Sequence, residues 1–479
     1  MRRPSVLAAV AALILFAALP PAGASPALAR TDGCAGAGAA DFDGDGTDDA
    51  VAGDPFAGVG GLAGAGAVHV LLDAGRGGVL ALHAPVPSAG AAFGWSVRTA
   101  HVDADRCLDV IVGAPYADQD GTRDAGAAYV VFGTPSGTPR VAALRPDPER
   151  DAHFGWSVAA AELGEGGALV AVGVPHADSD GERDSGAIDL FRVRETPERL
   201  ARITQDSDGV IGNSEAGDMY GWAVALGRLG GRPDDLDLAV GVPYENDDGA
   251  GRQVDTGRID AGMVGVVFDV ITARGHYGSV KWDLRQATDA VRESSGDRFG
   301  YALDYAEWKG DGYLAATAPL TDGDTKDSGL VQVFVRRGAG QLAPLRALGP
   351  VSAWSLAWWD AGGVLSLAAG APYAPSGPAR EAGVVRAFAD AGQSAANGQL
   401  VAGSGGRQLA VGSAAYEHLG AAVTDVGGAT PFTPGRTLLA GAPDHGPTGA
   451  VALLDGGRAT YRPPGTGVSS ADLGAAVAG

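Results

Sequence analysis

A formal charge of −22 over 479 residues excludes phosphate-backbone recognition as the main task of this chain, because that requires a basic surface. Its 77 glycines and 28 prolines, with no long amphipathic stretches, exclude a helical bundle and point to an all-β body of short strands and tight turns. The length suits two or three ordinary domains, or one repeat architecture.

In chain order, the opening "MRRPSVLAAVAALILFAALPPAGASPALAR" has Arg2 and Arg3, an apolar run over 6–19, and small-residue sites ending at Ala24 and Ala29. This pattern is that of a secretory signal peptide over 1–29, cleaved after Ala24 or Ala29. The apolar run is short for a spanning helix and no second one follows, so 30–479 is expected to be secreted, with no membrane-spanning segment. Only Cys34 and Cys107 are present, and an exported chain with two cysteines usually pairs them; free buried thiols are the alternative.

Next comes "DFDGDGTDDAVAGDP", with carboxylates at Asp41, Asp43, Asp45 and Asp49, a backbone carbonyl at Thr47, and Gly44 and Gly46 to let the loop wrap. Hard oxygens at alternating positions suit Ca²⁺. An EF-hand would place Glu at the twelfth position, which is Ala52, so the loop is of another type. The competing reading is a solvated acidic turn. The aligned second loop keeps Asp103, Asp105 and Asp109 but has His101 and Arg106 in place of an Asp and a Gly, which makes it a weaker metal candidate. Cys107 lies in this loop and Cys34 precedes the first, so a disulfide would clamp the amino-terminal segment to the neighbouring unit.

From here a compound unit recurs. First strands begin with "FGWSV" at Phe93 and Phe154, "YGWAV" at Tyr220, "FGYAL" at Phe299, a degenerate "SAWSL" at Ser352, and "LGAAV" at Leu419 and Leu473. Second strands end in "AGDP", "VGAP", "VGVP", "VGVP", "ATAP", "AGAP" and "AGAP", seven in all. A third strand follows, with room for a fourth. Acidic turns such as "YADQDGTRDAGAA" and "HADSDGERDSGAI" place Asp124, Asp184, Asp260, Asp327 and Glu381 two residues before a Gly, which favours side-chain-to-backbone turn bonds over metal sites. Trp95, Trp156, Trp222, Tyr301 and Trp354 share one repeat position. Period-two alternation puts them with Phe93 and Val97 on a face that the next blade covers, and stacking on sugars is the competing reading.

These motifs resemble the FG-GAP repeat family, found in the integrin α-subunit head and in exported bacterial proteins. The resemblance implies a seven-bladed β-propeller of four-stranded blades with Ca²⁺ in some loops. Residues from Asp41 open a loop and second strand with no first strand before them, whereas "LGAAVAG" at Leu473 is a first strand with nothing after it. The two segments are therefore expected to close the ring by pairing in one blade.

The expected function is a monomeric, calcium-stabilised binding module that recognises an extracellular protein or glycan, as in adhesion. No Gly-x-Ser-x-Gly or His-Glu-x-x-His pattern occurs. A carbohydrate-active hydrolase or lyase, with carboxylates converging at one face, is the first alternative, and a purely structural module is the second. The partner is expected on the face that carries the second-to-third strand loops, including 244–261 and the connection 272–297, with calcium on the opposite face.

Overall fold

The computed structural model describes residues 34, 36–135, 138–163, 166–179, 181–246, 257–392, 406–427, 434–455 and 458–479; the expected signal peptide lies outside them, as does much of the 244–261 loop. The described chain forms seven four-stranded antiparallel sheets. The second blade, Ser96–Ala100, Asp109–Ala114, Ala127–Val131 and Val141–Leu144, shows the plan, with the strands adjacent in sequence order from the axis outward. Innermost strands Val158–Glu162, Ala223–Gly227, Leu303–Trp308, Ser355–Asp360 and Val423–Val426 follow around the axis, each against the next. The ring closes at Ala476–Ala478, which lies against both Val423–Val426 and Ser96–Ala100. This strand pairs with Ala50–Asp54 in the register Val51 to Ala478, Ala52 to Val477 and Gly53 to Ala476, as the split repeat predicts. The fold is a seven-bladed β-propeller.

The recurring glycines form the seams between blades. A Cβ on Gly113 would lie 2.0 Å from the carbonyl oxygen of Gly155, the first-strand glycine of the next blade. The same contact recurs at Gly53 with Gly94 (2.0 Å), Gly173 with Gly221 (2.1 Å), Gly241 with Gly300 (1.9 Å), Gly370 with Gly420 (2.1 Å) and Gly441 with Gly474 (1.8 Å). At the remaining seam the two positions are Thr317 and Ala353, so both glycines are lost together where one blade meets the next. That explains why "ATAP" is followed by the degenerate "SAWSL". A separate apolar cluster fills each of the seven interfaces. Gly113→Ala should cost about 1–3 kcal/mol through backbone displacement at its seam; an unchanged denaturant midpoint would show that the seam yields freely.

The acidic turns behave partly as expected. Asp124, Asp184, Asp260, Asp327 and Glu381 all have positive φ, between 46° and 54°, a conformation that Asp tolerates better than most residues. Their own N–H groups donate in four of the turns to an earlier side chain: Asp118 (2.9 Å), Asp178 (3.0 Å), Asn246 (2.9 Å) and Asp322 (2.9 Å). The acid before the glycine thus supplies the left-handed corner, and the residue upstream is the acceptor. The 272–297 stretch is not one connection. It contains the outer strand Gly278–Asp283 and the helical turn Leu284–Ala287, which Asp283 and Gln286 cap reciprocally.

Candidate functional site

Alternation of strand direction puts the first-to-second loops at one end of the blades and the second-to-third loops and blade-to-blade connections at the other. The acidic loop 41–49 lies at the first end. Asp41 and Asp49 are buried, and ligand oxygens of Asp41, Asp43 and Asp49 all lie within 4.8 Å of one another. The loop is wrapped by Asp41, which accepts from the N–H of Gly44 (2.6 Å) and Gly46 (2.7 Å), both at positive φ. Asp49 Oδ2 accepts from Phe42 N–H (2.8 Å), and its Oδ1 accepts from Asp73 N–H (2.9 Å) in the third-to-fourth turn. Burial pushes the Asp49 carboxyl up to about 7, with those two N–H groups pulling the other way. Burial and the Asp45 charge also raise Asp43. Asp45 stays outside the group: it is exposed and accepts from Thr47 N–H and Oγ1–H, which holds its carboxyl below the usual range.

Two oxygens bound to opposite sides of one Ca²⁺ are separated by about 5 Å, given bonds of 2.3–2.6 Å. The three-carboxylate group therefore has the donor chemistry and spacing for this ion, and no cationic side chain is paired with it among the described residues.

The second loop is arranged differently. Asp103 faces Arg140 Nη2 at 3.6 Å, while His101 pairs with Glu162 (2.6 Å) and points its charge partner to the next blade. Asp105 accepts from Cys107 N–H (3.0 Å), and Asp109 repeats the Asp49 tie, accepting from Val102 (2.7 Å) and Gly133 (2.9 Å). Burial pushes Asp109 up to about 8. Asp237 makes the same tie in a blade without an acidic series, to Leu229 (2.6 Å) and Asp269 (2.9 Å). The last Asp of the motif is thus a structural staple between two turns, whether or not a metal binds beside it. Cys34 and Cys107 form a disulfide with Cα atoms 5.2 Å apart, and backbone bonds from Leu108 to Asp41 and from Thr134 to Phe42 join the two loops. Neither sulfur is therefore a thiolate ligand.

At the opposite end the shared aromatic position forms an arc around the axis. Ring centroids run Trp95 to Trp156 at 5.0 Å, to Trp222 at 4.8 Å, to Tyr301 at 5.5 Å and to Trp354 at 4.6 Å. Ala421 and Ala475 hold the same position in the other two blades and leave the arc open. A second tier from the residues after the Gly-Ala-Pro turns leans on it: Tyr116 lies 5.4 Å from Trp95, His176 5.7 Å from Trp156, Tyr244 5.1 Å from Trp222, and Tyr373 5.2 Å from Trp354. The inner rings are half-buried, so they pack against neighbouring blades and still face outward. Eight large apolar side chains stand most exposed among the described residues. Six of them, Phe56, Leu62, Val86, Ile259, Tyr373 and Tyr416, belong to loops that open on this end; Leu80 is on an outer strand, and Ile211 lies against Ser279 of another.

Below the arc the axis holds a cavity of about 120 Å³ lined by Arg98, Asp304 and Asp425. Sequence reasoning missed these three. For two of them the signal is positional: the fourth residue after the first-strand glycine is small in five blades, but Arg98 and Asp304 in the other two.

The profile of the family described as FG-GAP repeat matches residues 93–131, which run from the first to the third strand of the second blade. The chain thus carries an FG-GAP repeat in a seven-bladed β-propeller, an arrangement consistent with an integrin-α-like FG-GAP propeller. It is similar to a curated protein, the phosphatidylinositol-glycan-specific phospholipase D of Bos taurus, at 24% identity over 173 residues. That match covers 34% of this chain and 19% of the relative, so the chain spans about a fifth of that protein's length. Among the described residues no helix is long and apolar enough to cross a membrane.

Proposed function

We propose that this propeller is an extracellular binding module whose aromatic face engages a protein or glycan partner, with Ca²⁺ held by Asp41, Asp43 and Asp49 as a structural clasp at the other end. The observation that carries the reading is the concentration of exposed apolar and aromatic side chains on one end of a strongly acidic body. Exposed apolar groups gathered on one surface mark interaction sites, and Tyr, Trp and Phe supply large contact areas with little rotamer entropy to lose. The disulfide supports an oxidising compartment. Calcium would supply fixed positive charge between three carboxylates that otherwise repel.

An enzyme acting on glycans is less well supported, because the two carboxylates that meet on the axis share a cavity of about 120 Å³, too small for a chain of sugar rings. The similarity to a phospholipase D is to a minor part of that protein and supports only an accessory binding role here.

The test pairs Phe56→Ala with Tyr373→Ala, since both rings are about half exposed and carry little of the fold. A partner selected from a glycan array or from extracellular protein on the intact propeller should bind the double variant roughly 30–1,000-fold more weakly, at about 1–2 kcal/mol for each of the two aromatic contacts. The melting temperature should barely move. Full affinity in the double variant, with loss on substituting the 41–49 loop, would transfer the binding face to the other end.

A further inference from the structure

We propose that the axial cavity is a binding site for a small amino-acid zwitterion, its carboxylate received by Arg98 and its ammonium group by Asp304 and Asp425. The site is separate from the aromatic face and does not rest on that reading.

The repeat itself shows that the charges are out of pattern. Alanine in four blades and Thr424 in a fifth keep the axis hollow at the fourth residue after the first-strand glycine. Arg98 and Asp304 enter this space from the second and fifth blades, on opposite sides of the ring, and Asp425 enters from the seventh. All three side chains are half-buried, and charges drawn together in a confined cavity are normally paired directly, because an ion partly withdrawn from water without a partner is costly. Here the pairing is incomplete. Asp304 accepts from Trp358 N–H at 2.8 Å, and Asp425 accepts from Gly435 N–H, but no hydrogen bond or ion pair joins either carboxylate to Arg98. Opposite charges thus face one another across a gap.

The gap has the size and walls for a small molecule with a charge at each end. About 120 Å³ holds several waters or one molecule of roughly five to ten non-hydrogen atoms. Its wall is mostly polar, with Ala160, Val224, Leu226 and Trp358 as the apolar part; among the described residues the charged side chains that face it are these three, and the last residue, Gly479, also borders it. An inorganic cation would satisfy the acids and leave Arg98 without a partner, and an anion would do the reverse. A zwitterion satisfies both. Without such a ligand, burial pushes Asp304 up to about 6 and Asp425 up to about 7, against the attraction of Arg98. An ammonium group needs the ionised carboxylates, so affinity should fall as pH drops from 7.5 to 5.

Titration calorimetry with glycine, β-alanine and 4-aminobutanoate tests this, with propionate and propylammonium as single-charge controls. The distance between Arg98 and the acids is set by the blades, so one chain length should bind about tenfold or more tighter than the other two and than either control. Arg98→Gln and Asp304→Asn should each weaken that probe by about tenfold or more, since each removes a charge-assisted contact, while Phe56→Ala with Tyr373→Ala should leave it unchanged. Failure of all three amino acids to bind at millimolar concentration would overturn the proposal, as would equal binding of a control. Should either variant not fold, crystals of the unsubstituted protein soaked in the best probe decide the matter: density bridging Arg98 and Asp304 supports the site, and water alone refutes it.

Discussion

Removal of residues 473–479 should destabilise the propeller by on the order of 5 kcal/mol and broaden its unfolding transition. Leu473 is fully buried, Val477 and Ala478 nearly so, and burial of a Leu or Val side chain contributes about 1.5–3 kcal/mol each. The truncation also takes away the register with Ala50–Asp54, the bond from Gly474 N–H to the Gly53 carbonyl, and the Thr99 Oγ1–H bond to the Gly479 carbonyl oxygen across the next seam. What remains is an open ring with two unprotected inner edges, so the blades no longer unfold as one unit. Against a total stability of about 5–15 kcal/mol, that loss is a large fraction. A milder variant reports on the same closure. Asp54 is buried and accepts from Ser470 Oγ–H, Ala471 N–H (3.3 Å) and Asp472 N–H (3.0 Å), with His69 Nε2 at 3.4 Å. Asp54→Ala leaves these donors unsatisfied and should cost about 1–3 kcal/mol. If the truncated protein melted at the same midpoint and with the same steepness as the full chain, closure would contribute nothing to stability.

The ring could be read from the sequence because its seams impose glycine at fixed places. A Cβ at Gly53 or Gly441 meets a neighbouring backbone, so the motif persists even where the strands around it vary, and the one seam that departs from it departs on both sides, at Thr317 and Ala353. The aromatic position was less readable. Alternation assigns Trp95 to the buried face shared by Phe93 and Val97, but alternation holds only for extended backbone. Gly94 has a φ of 96°, and Gly155, Gly221 and Gly300 lie between 89° and 95°, so the pleat is broken between the fully buried Phe and the Trp, which still packs on the next blade's ring but is only half-buried. The charges of Arg98 and Asp304 were invisible for a related reason. Each sits in its own strand as an ordinary polar residue, and only the ring brings the two strands to opposite sides of one cavity. At Asp49 the residue type was read as a ligand, whereas its hydrogen bonds to Phe42 and Asp73 show a second reason for an Asp there, shared with Asp109 and Asp237.

Calcium at about 1 mM should stabilise the protein by about 3 kcal/mol over a chelated sample, the gain expected when the ion is present at a hundredfold excess over its dissociation constant. The clasp reading predicts where that energy acts. The 41–49 loop is joined to the second blade through Leu108, Thr134 and the Cys34–Cys107 disulfide, and Phe42 is buried in the cluster between the two blades. An ion that holds Asp41, Asp43 and Asp49 together therefore strengthens the seam next to the closed blade. The choice of variant decides whether the test is clean. Asp41 and Asp49 shape the loop through bonds to Gly44, Gly46, Phe42 and Asp73, so their loss would weaken the fold with or without a metal. Asp43 and Asp45 are bonded only within the exposed turn, to Asp45 N–H and to Thr47. Asp43→Ala combined with Asp45→Ala should leave the melting temperature in chelator nearly unchanged and abolish the rise on adding calcium. A calcium-dependent rise that survives the double substitution would place the ion elsewhere in the ring, and identical melting curves for the unsubstituted protein in calcium and in chelator would leave the loop as a turn held by its own hydrogen bonds.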